Sequence, residues 1–177
     1  MKQLILGLAL SLVFCSVVGA QEGKSPEPES PELDVLNKFA GTWKTSTVLK
    51  PSVWIATETK VDGTRKAKWV LKNKFLKVIG KGGDVETREM NSFDQQRRIY
   101  TRWTFDSNGS IGHWRGRWNE EKMTMTWKLD AAGTVEGEMT ERLISDDKYE
   151  VTAEIKDNDG NLLLGVEAIL TRIKVGD

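Results

Sequence analysis

A chain of 177 residues with 26 basic side chains, 26 acidic ones, one histidine and one cysteine has the length of a single domain and no bulk electrostatic field. So even a balance denies nucleic acid and anionic membranes the basic surface that counterion release or lipid attraction requires. The lone cysteine, Cys15, lies in an apolar N-terminal stretch. If that stretch is removed, disulfides, thiolate catalysis and cysteine metal sites go with it.

Residues 1–20 have a basic start at Lys2, an apolar run from Leu4 to Val18 and small residues ending at Ala20. This is the layout of a secretory signal peptide cleaved after Ala20, and the run is short of the about 20 residues a membrane helix needs. The expected mature chain is secreted or periplasmic, without an integral membrane span. Leu12-Val13-Phe14-Cys15 resembles a lipoprotein site, but Phe14 stands where a small residue is usual. Residues 21–32 carry three prolines and four glutamates with nothing large and apolar, and read as a disordered Pro/Glu linker. A barrel domain is expected over residues 33–174. A short helix can begin there, with Ser30 as N-cap, Pro31 in the first helical position, Leu33, Leu36 and Phe39 on one face and Gly41 as the stop.

Extended runs follow near 42–50, 53–61, 65–72, 74–81, 85–93, 97–106, 109–118, 121–129, 133–143, 147–157 and 161–173. The alternation is clearest where Met123, Met125, Trp127 and Leu129 interleave with Lys122, Thr124, Thr126 and Lys128. Pro51 marks a bend or a break, and Asp62-Gly63, Asn108-Gly109 and Asp157 to Asn161 read as turns. A long meander leaves two bare edges unless its last strand returns to its first. The fold class is therefore all-β, a closed up-and-down antiparallel β-barrel of roughly ten strands with a short N-terminal helix. An outer-membrane barrel is disfavoured by short turns at both ends and by lysines and arginines on the faces that lipid would touch.

Phe39-Ala40-Gly41-Thr42-Trp43, with its Gly-x-Trp opening the first strand, resembles the start of lipocalins and other calycins. The resemblance implies that Arg172, near the chain end, packs across Trp43 and closes one end of the barrel. Asn91-Ser92-Phe93-Asp94, Tyr100-Thr101-Arg102-Trp103 and Phe105-Asp106-Ser107 resemble a family of secreted bacterial proteins with a lipocalin-like domain of unknown function. That family brings no established activity or catalytic residues.

Seven tryptophans are many for this length. Parity groups Trp69 with Ala67 and Leu71, Trp103 with Ile99 and Phe105, and Trp127 with the methionines, while Trp114 and Trp118 share a face with Gly112 and Gly116. These aromatics either fill a core or line a cavity. On the second reading Trp69, Trp103, Trp114, Trp118, Trp127 and Tyr149 form the ligand wall, and Arg102 or Glu167 orients a polar head. The corresponding function is a non-catalytic barrel, monomeric or weakly dimeric, that binds a small apolar or amphipathic molecule without a cofactor.

His113, between Ile111 and Arg115, is expected to face solvent. A related barrel type holds haem through a histidine near its C-terminal end, and Leu162 to Arg172 contains none, so no metal or haem is expected. Asp157-Asn158-Asp159-Gly160 has its glycine too early for a calcium loop, and Asn108-Gly109-Ser110, though a glycosylation sequon, reads first as a hairpin turn. Glu89, Asp94, Glu141 and Glu167 are the acids that parity or apolar flanks could bring inside. No nucleophilic triad can be assembled around them. Two rival readings remain: an enzyme using a buried acid of raised pKa, and a solid interaction module with Trp54 as an exposed anchor.

Overall fold

The computed structural model describes residues 30–131, 133 and 135–174. The expected signal peptide, Cys15 and the linker up to residue 29 lie outside the described residues. Pro31 in the first turn and a bond from the Leu33 amide to the Ser30 hydroxyl at 3.4 Å open a short helix, α1 (Pro31–Asn37). Leu33, Val35 and Leu36 are its buried side chains.

Ten strands follow: β1 (Gly41–Lys50), β2 (Thr59–Val70), β3 (Phe75–Gly82), β4 (Val85–Asp94), β5 (Ile99–Asp106), β6 (Ile111–Asn119), β7 (Thr124–Leu129), β8 (Val135–Ser145), β9 (Lys148–Asp157) and β10 (Leu162–Arg172). Each pairs antiparallel with its neighbours in sequence, and β10 returns to β1, placing Trp43 opposite Arg172 and Lys50 opposite Gly165. The result is a closed barrel with no free edge among these strands.

Two details differ from the expectation. The run at 53–61 is not a separate strand, because residues 51–58 form a loop held by bonds from the Ser52 amide to the Ile55 carbonyl and from the Val53 amide to the Leu162 carbonyl. Asp62-Gly63 is not a turn. Gly63 lies inside β2, opposite Thr45 and Gly82, and a Cβ there would sit 2.1 Å from the Lys81 carbonyl oxygen. The glycine serves a close approach of two strands, a role that sequence cannot distinguish from a hairpin signal.

The helix plugs one end. Phe39 meets Tyr149 edge-on at 5.4 Å and Trp118 at 6.4 Å, and the Trp43 indole donates to the Phe39 carbonyl at 3.1 Å. Below that plug Trp43, Trp127, Tyr149, Leu36, Leu76, Met125 and Val78 are all under 2% exposed. This is the packed half of the interior. The other end, which α1 does not reach, is framed by the 51–58 loop and by the turns after β3, β5, β7 and β9.

Candidate functional site

Antiparallel pairing puts directly opposed residues on one face of the sheet, so the interior can be traced across strands. From Ala67 inside β2, the same face runs through Val78, Glu89, Thr104 and Gly112. From Tyr149 inside β9, two residues along the same face lies Val151, which opposes Glu141 on one side and Ala168 on the other, then Thr47 and Val61. From Trp43 the line passes Arg65, Gly80 and Thr87. Arg65, Glu89, Arg102 and Glu141 are thus charged side chains that point inward between the two ends of the barrel.

They meet in one layer across the barrel. Arg65 donates through Nη1 to Glu141 Oε1 at 2.9 Å and to the Tyr149 hydroxyl oxygen at 3.1 Å, and through Nη2 to Glu89 Oε2 at 2.9 Å. Arg102 donates through Nη2 to Glu141 Oε2 at 2.6 Å and through Nε to Asn91 Oδ1 at 2.6 Å, with its guanidinium 4.1 Å over the Trp127 ring. The Trp127 indole adds a bond to Glu141 Oε2 at 2.8 Å. Asn91 donates to the Leu76 carbonyl and to Glu89 Oε2. Such mutual satisfaction is what a charged group in a low-dielectric interior requires.

The electrostatics follow from these contacts. Burial alone would raise the Glu141 carboxyl, but Arg102 and Arg65 outweigh it and hold the group at about 2. Glu141 is thus a fixed anion, the opposite of the proton-carrying acid that the enzyme reading calls for. Burial drives the Tyr149 hydroxyl upward, despite Arg65 beside it, so it remains a neutral phenol.

The layer divides the interior. On the plug side Trp43, Trp127 and Tyr149 are closed off, while the side chains of Arg65 and Glu89 remain 12% and 13% exposed. The mouth is the end that α1 leaves uncovered. Apart from Trp114 and Val151, which are buried, the inward residues there include many that are small or only half-buried: Thr45, Thr47, Leu49, Val61, Gly80, Thr87, Thr104, Gly137, Ala153, Val166 and Ala168. A separate depression of about 810 Å³ lies on the wall of β7–β9, lined among others by Lys128, Glu138, Thr152 and Lys156, and none of its residues belongs to the charged layer.

The sequence-derived wall residues fall into four places. Trp127 and Tyr149 are fully buried in the packed half, Trp127 bonded to the layer and Tyr149 edge-on to Trp43 at 4.7 Å. Trp69 and Trp118 stand at the plugged end, Trp69 donating to Asn37 Oδ1 at 2.9 Å and Trp118 to Glu120. Trp114, 7% exposed, lies on the mouth side, its indole near Thr104 and Gly137. Trp103 does not face inward. It is 46% exposed on the outer wall beside Phe105 and stacks on His113 at 4.1 Å, because the inward alternation in β5 runs Tyr100, Arg102, Thr104. Glu167 also points outward, paired with Lys50 at 2.9 Å. Leu71, grouped by parity with Trp69, is an exposed turn residue with φ of 50°. Of the two glycines among the indoles, Gly116 leaves no free space, since a Cβ there would sit 2.6 Å from the Trp127 ring.

Arg102 is 4% exposed and donates from each of its three nitrogens inside the barrel, to Asn91, Met139 and Glu141. Asp94 caps the β4–β5 turn, accepting from the Gln96 and Arg97 amides. His113 contacts Asp130 at 3.1 Å on the outer wall, and Asp157 accepts from Asp159 and Asn161 inside a hairpin turn. Arg172 sits 4.0 Å over the Trp43 ring and donates to the Ala40, Lys38 and Asp146 carbonyls, tying the chain end to the plug. Among the described residues no helix is long and apolar enough to cross a membrane. Arg65 was not singled out from the sequence, although its parity with Ala67 and Trp69 places it inside.

A closed ten-strand antiparallel barrel, plugged at one end by a short helix, is a calycin-like fold. The chain belongs to the family described as "Protein of unknown function (DUF1579)", which matches residues 28–172. No curated protein matches it in sequence. Among solved structures it is similar to Rv2717c from M. tuberculosis, with a TM-score of 0.64 and 13% identity over 82% of this chain and 99% of that one. It is also similar to the S-type phycobiliprotein lyase CPES from Guillardia theta, with a TM-score of 0.55 and 12% identity over 82% of this chain and 94% of that one. A third likeness is to a protein of unknown function from the DUF3598 family of Nostoc punctiforme, with a TM-score of 0.50 and 10% identity over 78% of this chain and 49% of that one. At such identities these likenesses show the fold alone.

Proposed function

We propose that this is a secreted, non-catalytic barrel that binds a small apolar or amphipathic molecule in the mouth half of its interior. The observation that carries this reading is the division of that interior. A closed core fills the plugged half, while above the charged layer most inward side chains other than Trp114 and Val151 are small or only half-buried, and Arg65 and Glu89 keep some exposure. Leu49, Val61, Val151, Val166 and Trp114 give that space an apolar wall, and the layer gives it a polar floor, the usual composition of a small-molecule site. Stability alone does not call for four charges at this depth, since apolar residues of similar volume in place of buried ion pairs are often as stable or more so. The secreted location rests on the leader-like residues 1–20.

Native mass spectrometry of protein purified gently from the extracytoplasmic fraction of its host, beside its denatured mass, tests the reading. A removable extra mass is expected; a protein that is empty and takes up no apolar or amphipathic compound sinks it. The second reading, a protein-interaction module, is favoured by one observation. Val53 and Trp54, at the rim of the mouth, are 66% and 58% exposed.

A further inference from the structure

The bonds already made in the charged layer determine which of its atoms are free to meet a ligand. Arg102 directs its donors to Asn91, Glu141 and the Met139 sulfur, the last at 3.6 Å. Glu141, 1% exposed, accepts on both oxygens, from Arg65 on Oε1 and from Arg102 and Trp127 on Oε2. Neither is open to the mouth. Glu89 differs. Among the described residues the hydrogen bonds to its carboxylate fall on Oε2, and Oε1 accepts none. Arg65 uses both Nη1 protons on Glu141 and Tyr149 and one Nη2 proton on Glu89, which leaves its second Nη2 proton and its Nε proton. The layer therefore keeps, on two residues that are bonded to each other, an acceptor and a donor that no internal bond consumes. Its charges also cancel, two guanidinium groups against two carboxylates.

We propose that the occupant is an amphipathic molecule whose head group is uncharged and both donates and accepts, a hydroxyl or a primary carboxamide, and that Glu89 sets this preference. The assignment rests on the binding reading above and narrows it. The head donates to Glu89 Oε1 and accepts from Arg65. A carboxylate head has no proton for Glu89 and places a second negative charge beside it, while an ammonium head faces Arg65 and brings in a charge that the balanced layer does not offset. Either leaves a floor group badly paired, which costs more than the missing bond alone.

Glu89→Gln keeps the side chain's size, removes one negative charge and supplies an amide donor. It should move the preference toward anions. The experiment is calorimetric titration of the full-length protein at neutral pH with a matched octyl series: octanol, octanamide, octanoate, octylammonium and 1-chlorooctane, which keeps the chain and lacks the head's donor. Octanol and octanamide are expected to bind at least about tenfold more tightly than octanoate or octylammonium. In Glu89→Gln, octanoate should gain at least about tenfold relative to octanol. The proposal is overturned by a charged member binding the wild type as tightly as octanol, or by an unchanged octanoate-to-octanol ratio in a Gln variant shown to be folded by its thermal transition. Equal binding of 1-chlorooctane and octanol overturns the head-group assignment and leaves the binding reading standing, whereas no binding by any member overturns both. The wild-type series needs no variant, so it decides the matter even if the Gln protein does not fold.

Discussion

Glu141 is the most buried charge in the barrel, and its neighbours make the fold sensitive to acid. Burial opposes its ionisation, but Arg102 and Arg65 bring its pKa to about 2 from an ordinary 4.5. Between those values the unfolded chain binds the proton and the folded one does not, so stability rises with pH across this window. The contribution is complete above about 4.5 and is lost as pH falls toward about 2, a change on the order of 3 kcal/mol. Urea unfolding should therefore show the wild type less stable at about pH 3 than at about pH 5. Glu141→Gln should cost about 3–5 kcal/mol at the higher pH, where it leaves two guanidinium groups undercompensated, and the deficit should narrow at the lower. A deficit that stays constant between the two pH values would assign the acid sensitivity to other carboxylates.

At the scale of elements, α1 and the end of β10 depend on each other. Arg172 bonds two carbonyls of the segment following α1 and covers the Trp43 ring, and the Ile173 amide bonds to Thr42. Arg172→Ala should destabilise the protein by about 2 kcal/mol and speed hydrogen exchange in residues 31–40 more than in β5–β7. Exchange that speeds equally everywhere would deny the side chain its local role. Most elements were legible in the sequence because alternation and turn residues agreed. The exceptions have physical causes. Asp62-Gly63 carries a turn signal but serves a strand contact, and the 51–58 loop is apolar enough at Val53, Trp54 and Ile55 to mimic a strand. In β5 the usual rule inverts, with Trp103 and Phe105 outside and Arg102 inside, because Asn91 and Glu141 on other strands satisfy the arginine. Partners that distant in sequence leave no local trace. The acids Glu89 and Glu141 could be flagged from one sequence, but the layer that joins them to Arg65 could not.

At the scale of the molecule, closure joins the first strand to the last, so opening any one strand strips hydrogen bonds from two neighbours. The barrel should unfold in a single transition, with tryptophan emission and far-ultraviolet circular dichroism sharing one midpoint in urea. Separate midpoints would mean that the mouth half melts independently of the plugged half. Closure between distant segments also predicts slow refolding, since strand pairing of this range carries a large loop entropy. The first and last described residues leave from the same pole: Ser30 caps the plug and Lys174 pairs with Asp147 in the β8–β9 turn beside it. An affinity handle, a fluorescent partner or a solid support joined directly at Ser30 or Lys174 will therefore hold the barrel by its base and leave the opposite opening pointed into solution, so immobilised protein can be screened for small molecules without shielding the entrance.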